Sequence, residues 1–154
     1  MRPHPSFKTR SIPMVHRLGE FTLRALSIHD IERDFSTVIE SAADIKAANP
    51  RSSWPDGLTK EKNLIDLAWH QREFEARRSF AWVIEDAEGA YLGCLYVYPS
   101  IAGEKSAEVT WWWRTGAVAP KPSFRAKLLR WFSSDPWPRL TYDLRNDPDL
   151  DLER

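Results

Sequence analysis

The stretch Phe80-Ala81-Trp82-Val83-Ile84-Glu85-Asp86-Ala87-Glu88-Gly89-Ala90-Tyr91-Leu92-Gly93-Cys94-Leu95-Tyr96-Val97-Tyr98 decides the fold. Its opening run, Phe80 to Ile84, is short and wholly apolar, which suits a strand covered on both faces. Asp86-Ala87-Glu88-Gly89 supplies a turn, and Tyr91 to Tyr98 resumes as a second strand. The loop from Pro99 to Ser106, with Gly103 in it, returns the chain to a third strand. There Val109, Trp111 and Trp113 take one face, while Glu108, Thr110, Trp112 and Arg114 take the other. The reading is two successive antiparallel hairpins in a sheet that needs cover on both sides.

Working toward the N-terminus, Phe21, Leu23 and Ala25 alternate with Thr22 and Arg24, the period of a half-buried strand beginning at Glu20. Ser27 stands three residues before Asp30, a helix-start pattern, and Ile28, Ile31, Phe35, Val38, Ile39 and Ala42 follow at helical spacing until Asn49-Pro50. A loop through Ser52-Ser53-Trp54-Pro55-Asp56-Gly57 precedes a second helix starting after Thr59, with Leu64, Leu67, Ala68 and Phe74 on its inner face. Working toward the C-terminus, a loop with Pro120 and Pro122 leads to a third helix, capped by Ser123 and carrying Phe124, Leu128, Trp131 and Phe132. Asp135-Pro136-Trp137-Pro138 breaks it, and Leu140, Tyr142 and Leu144 alternate as a last strand. The order β-α-α-β-β-β-α-β ends in a crossover that sets two strands parallel within a mostly antiparallel α+β sheet.

The 154 residues suit one domain, and a 42% apolar content can fill a core. Residues 1–19 hold three prolines and no apolar run, and read as a flexible arm. Residues 20–145 form the domain, and 146–154 read as a frayed acidic tail. Twenty-two basic side chains balance 22 acidic ones, which removes the electrostatic case for a nucleic-acid or membrane partner. No run approaches the roughly 20 apolar residues of a membrane helix. One Cys and four dispersed His give no metal spacing and no disulfide framework, so a cytoplasmic setting without metal is expected.

At this point the chain resembles the GNAT superfamily of N-acetyltransferases, over Glu20 to Leu144. The likeness is closest to a short bacterial GNAT-like subgroup. It rests on Ser53-Trp54-Pro55, Asn63-Leu64-x-Asp66-Leu67, Trp69-His70-x-x-Glu73-Phe74, Phe80-Ala81-Trp82-Val83 and Leu92-Gly93-Cys94-Leu95-Tyr96-Val97-Tyr98-Pro99. The resemblance implies acetyl-CoA as co-substrate, an amine on a small molecule or peptide as acceptor, and a gap between the two parallel strands where the cofactor enters. Its pyrophosphate would meet the amides opening the helix near Ser123, since a helix start leaves donors unpaired. Trp112, Trp113, Arg114, Ser123, Phe124 and Arg125 are the implied cofactor contacts. Pro120, Ser123 and Arg125 stand where the family carries Gln or Arg, Gly, and Gly or Ala. That is a departure which removes a backbone donor and adds bulk. The family's last helix and hairpin have no counterpart in this sequence, so a second subunit would complete the acceptor side or the site stays incomplete.

Acetyl transfer needs a base, a polarised carbonyl and a proton for the departing thiolate. The base role falls to Glu108, Glu85 or a water held by them; Glu108 is the candidate carried forward, against the alternative of a strand-end residue paired with a cation such as Lys105. Tyr142 is the acid candidate, with Tyr96 and Tyr98 open to the same role or to packing. Trp54, His70 and Tyr96 are the acceptor-side candidates, and Cys94 reads as a small buried hydrophobe. Alternation lets only some of Trp111-Trp112-Trp113 face a ligand, whereas Trp54 and Trp137 suit exposed or interfacial positions. The competing function is a noncatalytic GNAT-like module, dimeric through the open sheet edge, that binds a ligand or partner protein.

Overall fold

Alternating side chains build the first pair of strands. The computed structural model describes residues 1–117 and 121–144, and it turns Phe21, Leu23 and Ala25 of β2 (Phe21–Ala25) into the core. An earlier strand, β1 (Val15–Leu18), pairs with β2 antiparallel. Residues 1–19, expected as a flexible arm, are therefore packed. Phe7 is fully buried against Phe80, ring centroids 4.9 Å apart, and Trp82 Nε1 donates to the Pro13 carbonyl at 3.1 Å. His16 stacks on Trp131 at 4.2 Å. A proline-rich segment shows no period, so pattern reading misses it; single aromatic anchors hold it down.

The helix start expected at Ser27 forms. Ser27 N–H donates to the Asp30 carboxylate at 2.9 Å, and the Ser27 hydroxyl accepts from His29 N–H at 3.2 Å. A 3₁₀ turn then leads into α1 (Ile31–Glu40). The single helix expected here breaks at the buried Ser41, whose hydroxyl accepts from Thr115 N–H at 3.0 Å, and resumes as α2 (Ala42–Ala48). Thr59 caps α3 (Lys60–Glu75) by accepting from Lys62 N–H at 3.2 Å. Its inner face differs from the expectation: Leu64 and Ala68 face outward, while Asn63 and Glu73 are buried with Leu67 and Phe74. Each polar residue has a partner, Asn63 donating to the buried Asp34 at 2.9 Å and Glu73 accepting from the exposed Arg78 at 3.2 Å, so burying them is tolerable.

The remaining strands are β3 (Phe80–Glu85), β4 (Tyr91–Pro99), β5 (Ser106–Trp113) and β6 (Thr141–Asp143). They complete a six-stranded sheet in simple sequence order, in which only β5 and β6 run parallel. The mixed, mostly antiparallel α+β architecture is the one expected, with one more strand at its start. Helix α4 (Lys121–Phe132) packs Phe124, Leu128 and Trp131 on one sheet face, with Trp111, Trp113 and Phe21. The opposite face puts Val83, Cys94 and Trp112 in a second core with Val38 and Leu67 of α1 and α3. Ser123, expected to cap α4, lies within its first turn, because the helix runs upstream of the first good capping residue. Pro120 and the tail 146–154 lie outside the described residues. Among those described, no helix is long and apolar enough to cross a membrane.

Candidate active site

The two parallel strands pair only through Ser106↔Thr141, Ala107↔Tyr142 and Glu108↔Asp143. Strand β5 continues to Trp113 and stays paired with β4 throughout, but no described strand takes up its other edge beyond Glu108. Glu108 thus stands where the parallel ladder stops among the described residues.

On the α1–α3 side of the sheet lies a cavity of about 450 Å³. Its aromatic walls are Trp54, Trp69, His70, Tyr96, Tyr98 and Trp112, and its carboxyl groups are Asp34, Asp66 and Glu108. No Lys or Arg is among its described lining residues. A larger open groove of about 1570 Å³ follows the β4–β5 loop and β6, lined among others by Arg125 and Tyr142. Cavity and groove share Trp69, Tyr98 and Glu108, so Glu108 sits at their junction.

The aromatic wall is internally braced. Trp112 Nε1 donates to the Tyr96 hydroxyl at 3.1 Å, and the Tyr96 ring lies 5.3 Å from His70 and 6.0 Å from Tyr98, stacked on the latter. Trp54 comes within 6.3 Å of Trp112. Burial pushes His70 down to about 4, so its imidazole is neutral at physiological pH. Tyr98 is the cross-strand partner of Glu108, and its hydroxyl has no hydrogen-bond partner among the described residues. Burial raises its phenol, and the charges of Glu108, Cys94 and Asp66 add to the effect in that order.

Beneath the cavity Asp34 is buried. It accepts from Asn63 and from the Tyr91 hydroxyl, yet burial outweighs both bonds and raises its carboxyl above the usual range. Cys94 is fully buried, 3.0 Å from the Tyr91 hydroxyl, and its thiol is pushed up by burial, which leaves it no reactive thiolate. It is the packed small residue expected.

Trp54, His70, Tyr96, Trp112 and Glu108 are therefore brought together, and the six other expected residues stand outside the cavity. Tyr142 donates its hydroxyl to the Pro138 carbonyl at 2.7 Å and stacks on Phe132 at 4.6 Å, in the core under α4 rather than in the cavity. Trp113 and Phe124 pack on each other at 4.9 Å in that same core, because strand parity turns Trp113 away from Trp112. Arg114 and Ser123 line neither opening: Arg114 N–H closes onto the Leu92 carbonyl at 2.7 Å, and the Ser123 hydroxyl accepts from Lys127 at 3.0 Å. Arg125 lines the groove. Trp137, expected at the surface, is buried between Trp131 and Phe132. Asp34, Asp66 and Trp69 were missed as site residues. For Asp34 a signal existed: it lies three residues after Ile31 and four before Val38, on the apolar stripe of α1.

No protein-family model matches the chain, and no curated protein matches it. Solved structures do. The microcin C7 self-immunity acetyltransferase MccE, solved with acetyl-CoA and AMP, superposes with a TM-score of 0.68 at 12% identity, covering 83% of this chain and 71% of that one. A putative GNAT-family acetyltransferase from Bordetella pertussis gives 0.58 at 15% identity, covering 80% and 75%. This chain has the GNAT acetyltransferase fold. The acetyltransferase from Salmonella typhimurium that modifies the N-terminal serine of ribosomal protein L7/L12 gives 0.60 at 12% identity, covering 75% of this chain. The match spans 63% of that enzyme's length, under two thirds of it.

Proposed function

We propose that this GNAT-fold chain transfers the acetyl group of acetyl-CoA to the amine of a small molecule or peptide in the cytoplasm. The observation that carries the reading is the end of the β5–β6 ladder, among the described residues, at Glu108, beside an aromatic cavity free of Lys and Arg in its described lining. No described strand follows the outer edge of β5 beyond Glu108, which is where an extended co-substrate would lie, and its phosphates would meet the first turn of α4. The solved complex of MccE with acetyl-CoA, on the same fold, supports that co-substrate.

In this reading the Glu108 carboxylate takes a proton from the acceptor ammonium, and the freed nitrogen lone pair attacks the thioester carbonyl carbon. The C–S bond breaks, and the sulfur takes the proton of the Tyr98 hydroxyl as Glu108, opposite Tyr98 across the strands, passes its own proton to the phenol oxygen, so that no free phenolate forms. The surplus proton of the attacking nitrogen leaves to water as the amide forms. Tyr98 replaces Tyr142 as the acid because the Tyr142 hydroxyl is engaged with a carbonyl on the other sheet face, while the Tyr98 hydroxyl opens on the junction beside Glu108.

Two measurements on one variant test the reading. Acetyl-CoA at about 100 times its Kd should stabilise the wild type by about 2.7 kcal/mol in thermal melts. Glu108→Gln should keep that stabilisation and lose on the order of 100-fold in kcat. Absence of stabilisation by millimolar acetyl-CoA defeats the transferase reading and leaves a noncatalytic binding module; full turnover by Glu108→Gln removes Glu108 as base.

A further inference from the structure

The cavity specifies its occupant more narrowly than "an amine". Its carboxylates come from different elements, Asp66 from α3 and Glu108 from β5, and Tyr98 stands in the field of both. Asp66 is exposed at the edge of the cavity and has no ion-pair or hydrogen-bond partner among the described residues, and partial desolvation there raises its carboxyl. No described Lys or Arg lines the cavity to compensate, and the neutral His70 adds no positive charge. Beside Asp66 the indole of Trp69 is half exposed, edge-on to His70 at 5.0 Å, and Trp54, Tyr96 and Trp112 close the rest of the wall. A cation at this edge of the cavity is attracted both by the unpaired Asp66 carboxylate and by the quadrupoles of the neighbouring rings.

We propose that the acceptor is a small dicationic amine, one nitrogen reacting at Glu108 while a second, remaining charged, is held by Asp66 and Trp69. The fate of the first nitrogen rests on the acetyltransferase reading; the binding of the second does not. One carboxylate cannot serve both nitrogens, since Glu108 must take up a proton while the anchoring group must stay ionised. A monoamine of equal length fills the same apolar volume and leaves Asp66 unpaired, so discrimination arises from the missing charge rather than from shape.

Putrescine and n-butylamine form the matched pair of probes. Titrated into the full chain without acetyl-CoA and followed by tryptophan fluorescence, putrescine should bind about tenfold or more tightly than n-butylamine, and the gap should narrow with salt. Asp66→Asn should erase most of that gap by weakening putrescine alone. The wild-type comparison needs no variant, so a misfolded Asp66→Asn would not rescue the proposal. Equal affinity for the two probes overturns it, as does an Asp66→Asn effect of the same size on both. Selective putrescine binding without acetyl transfer keeps this inference and defeats the transferase reading; equal acetylation of mono- and diamines, with equal binding, does the reverse.

Discussion

His70 lies against Tyr96 in the cavity wall, and burial holds its imidazole near a pKa of about 4, below the ordinary 6.5. The folded chain therefore binds fewer protons than the unfolded chain between those values. The contribution of His70 to stability is present above 6.5 and is lost as the pH falls toward 4. Urea denaturation at neutral pH and at about pH 5 should show wild type losing stability relative to His70→Gln on acidification. A constant difference between the two would mean that the ring is not desolvated. The sequence showed a histidine at a helical position with no ligand spacing, compatible with a solvated site. Its burial depends on Tyr96 and Trp69, and of these only the helical neighbour Trp69 is close in sequence. Asp34 teaches the same lesson: a carboxyl on an apolar stripe becomes tolerable only when Asn63 and Tyr91, distant in sequence, turn donors toward it.

Among the elements, β4 carries the most constraint, since it is paired on both edges and places Tyr96 and Tyr98 in the cavity. Gly93 makes its approach to β5 possible. A Cβ built there would lie 1.9 Å from the Trp112 carbonyl oxygen, a backbone atom that no side-chain rotation can move away. Gly93→Ala should cost about 3 kcal/mol in urea denaturation and perturb the fluorescence of Trp112. A cost under about 0.5 kcal/mol would show that the two strands separate easily there. Strands β3, β4 and β5 were readable from sequence because each shows a continuous apolar run or strict alternation, and Ser27 and Thr59 marked real helix starts. The break at Ser41 and the inward Asn63 were not readable, because polar side chains satisfied by remote partners look in sequence like solvent-facing ones, and Glu73, paired with the nearby Arg78, reads as an exposed ion pair.

Over the whole molecule, the N-terminal segment closes one core. Phe7 is fully buried with Phe80 and Trp137, and Arg10 reaches Asp135 at 3.6 Å from the other end of the fold. Phe7→Ala should destabilise by about 3 kcal/mol or more, whereas the exposed Arg10–Asp135 pair should contribute little. A loss below about 1 kcal/mol on Phe7→Ala would return the segment to the flexible arm that its composition suggests. Local patterning, through strand parity, helical spacing and capping residues, was enough to determine the α+β architecture, the parallel crossover at the end and the exclusion of one tryptophan in three from the opposite face. Only the tertiary structure decided that Tyr96 and Tyr98 line the cavity, that Trp113 belongs to the other core with Tyr142 packed against it, and that Asp66 and Glu108 border one cavity. Periodicity reports which side of an element is apolar, but a site is set by side chains meeting from separate elements, and those meetings leave no repeat in the chain.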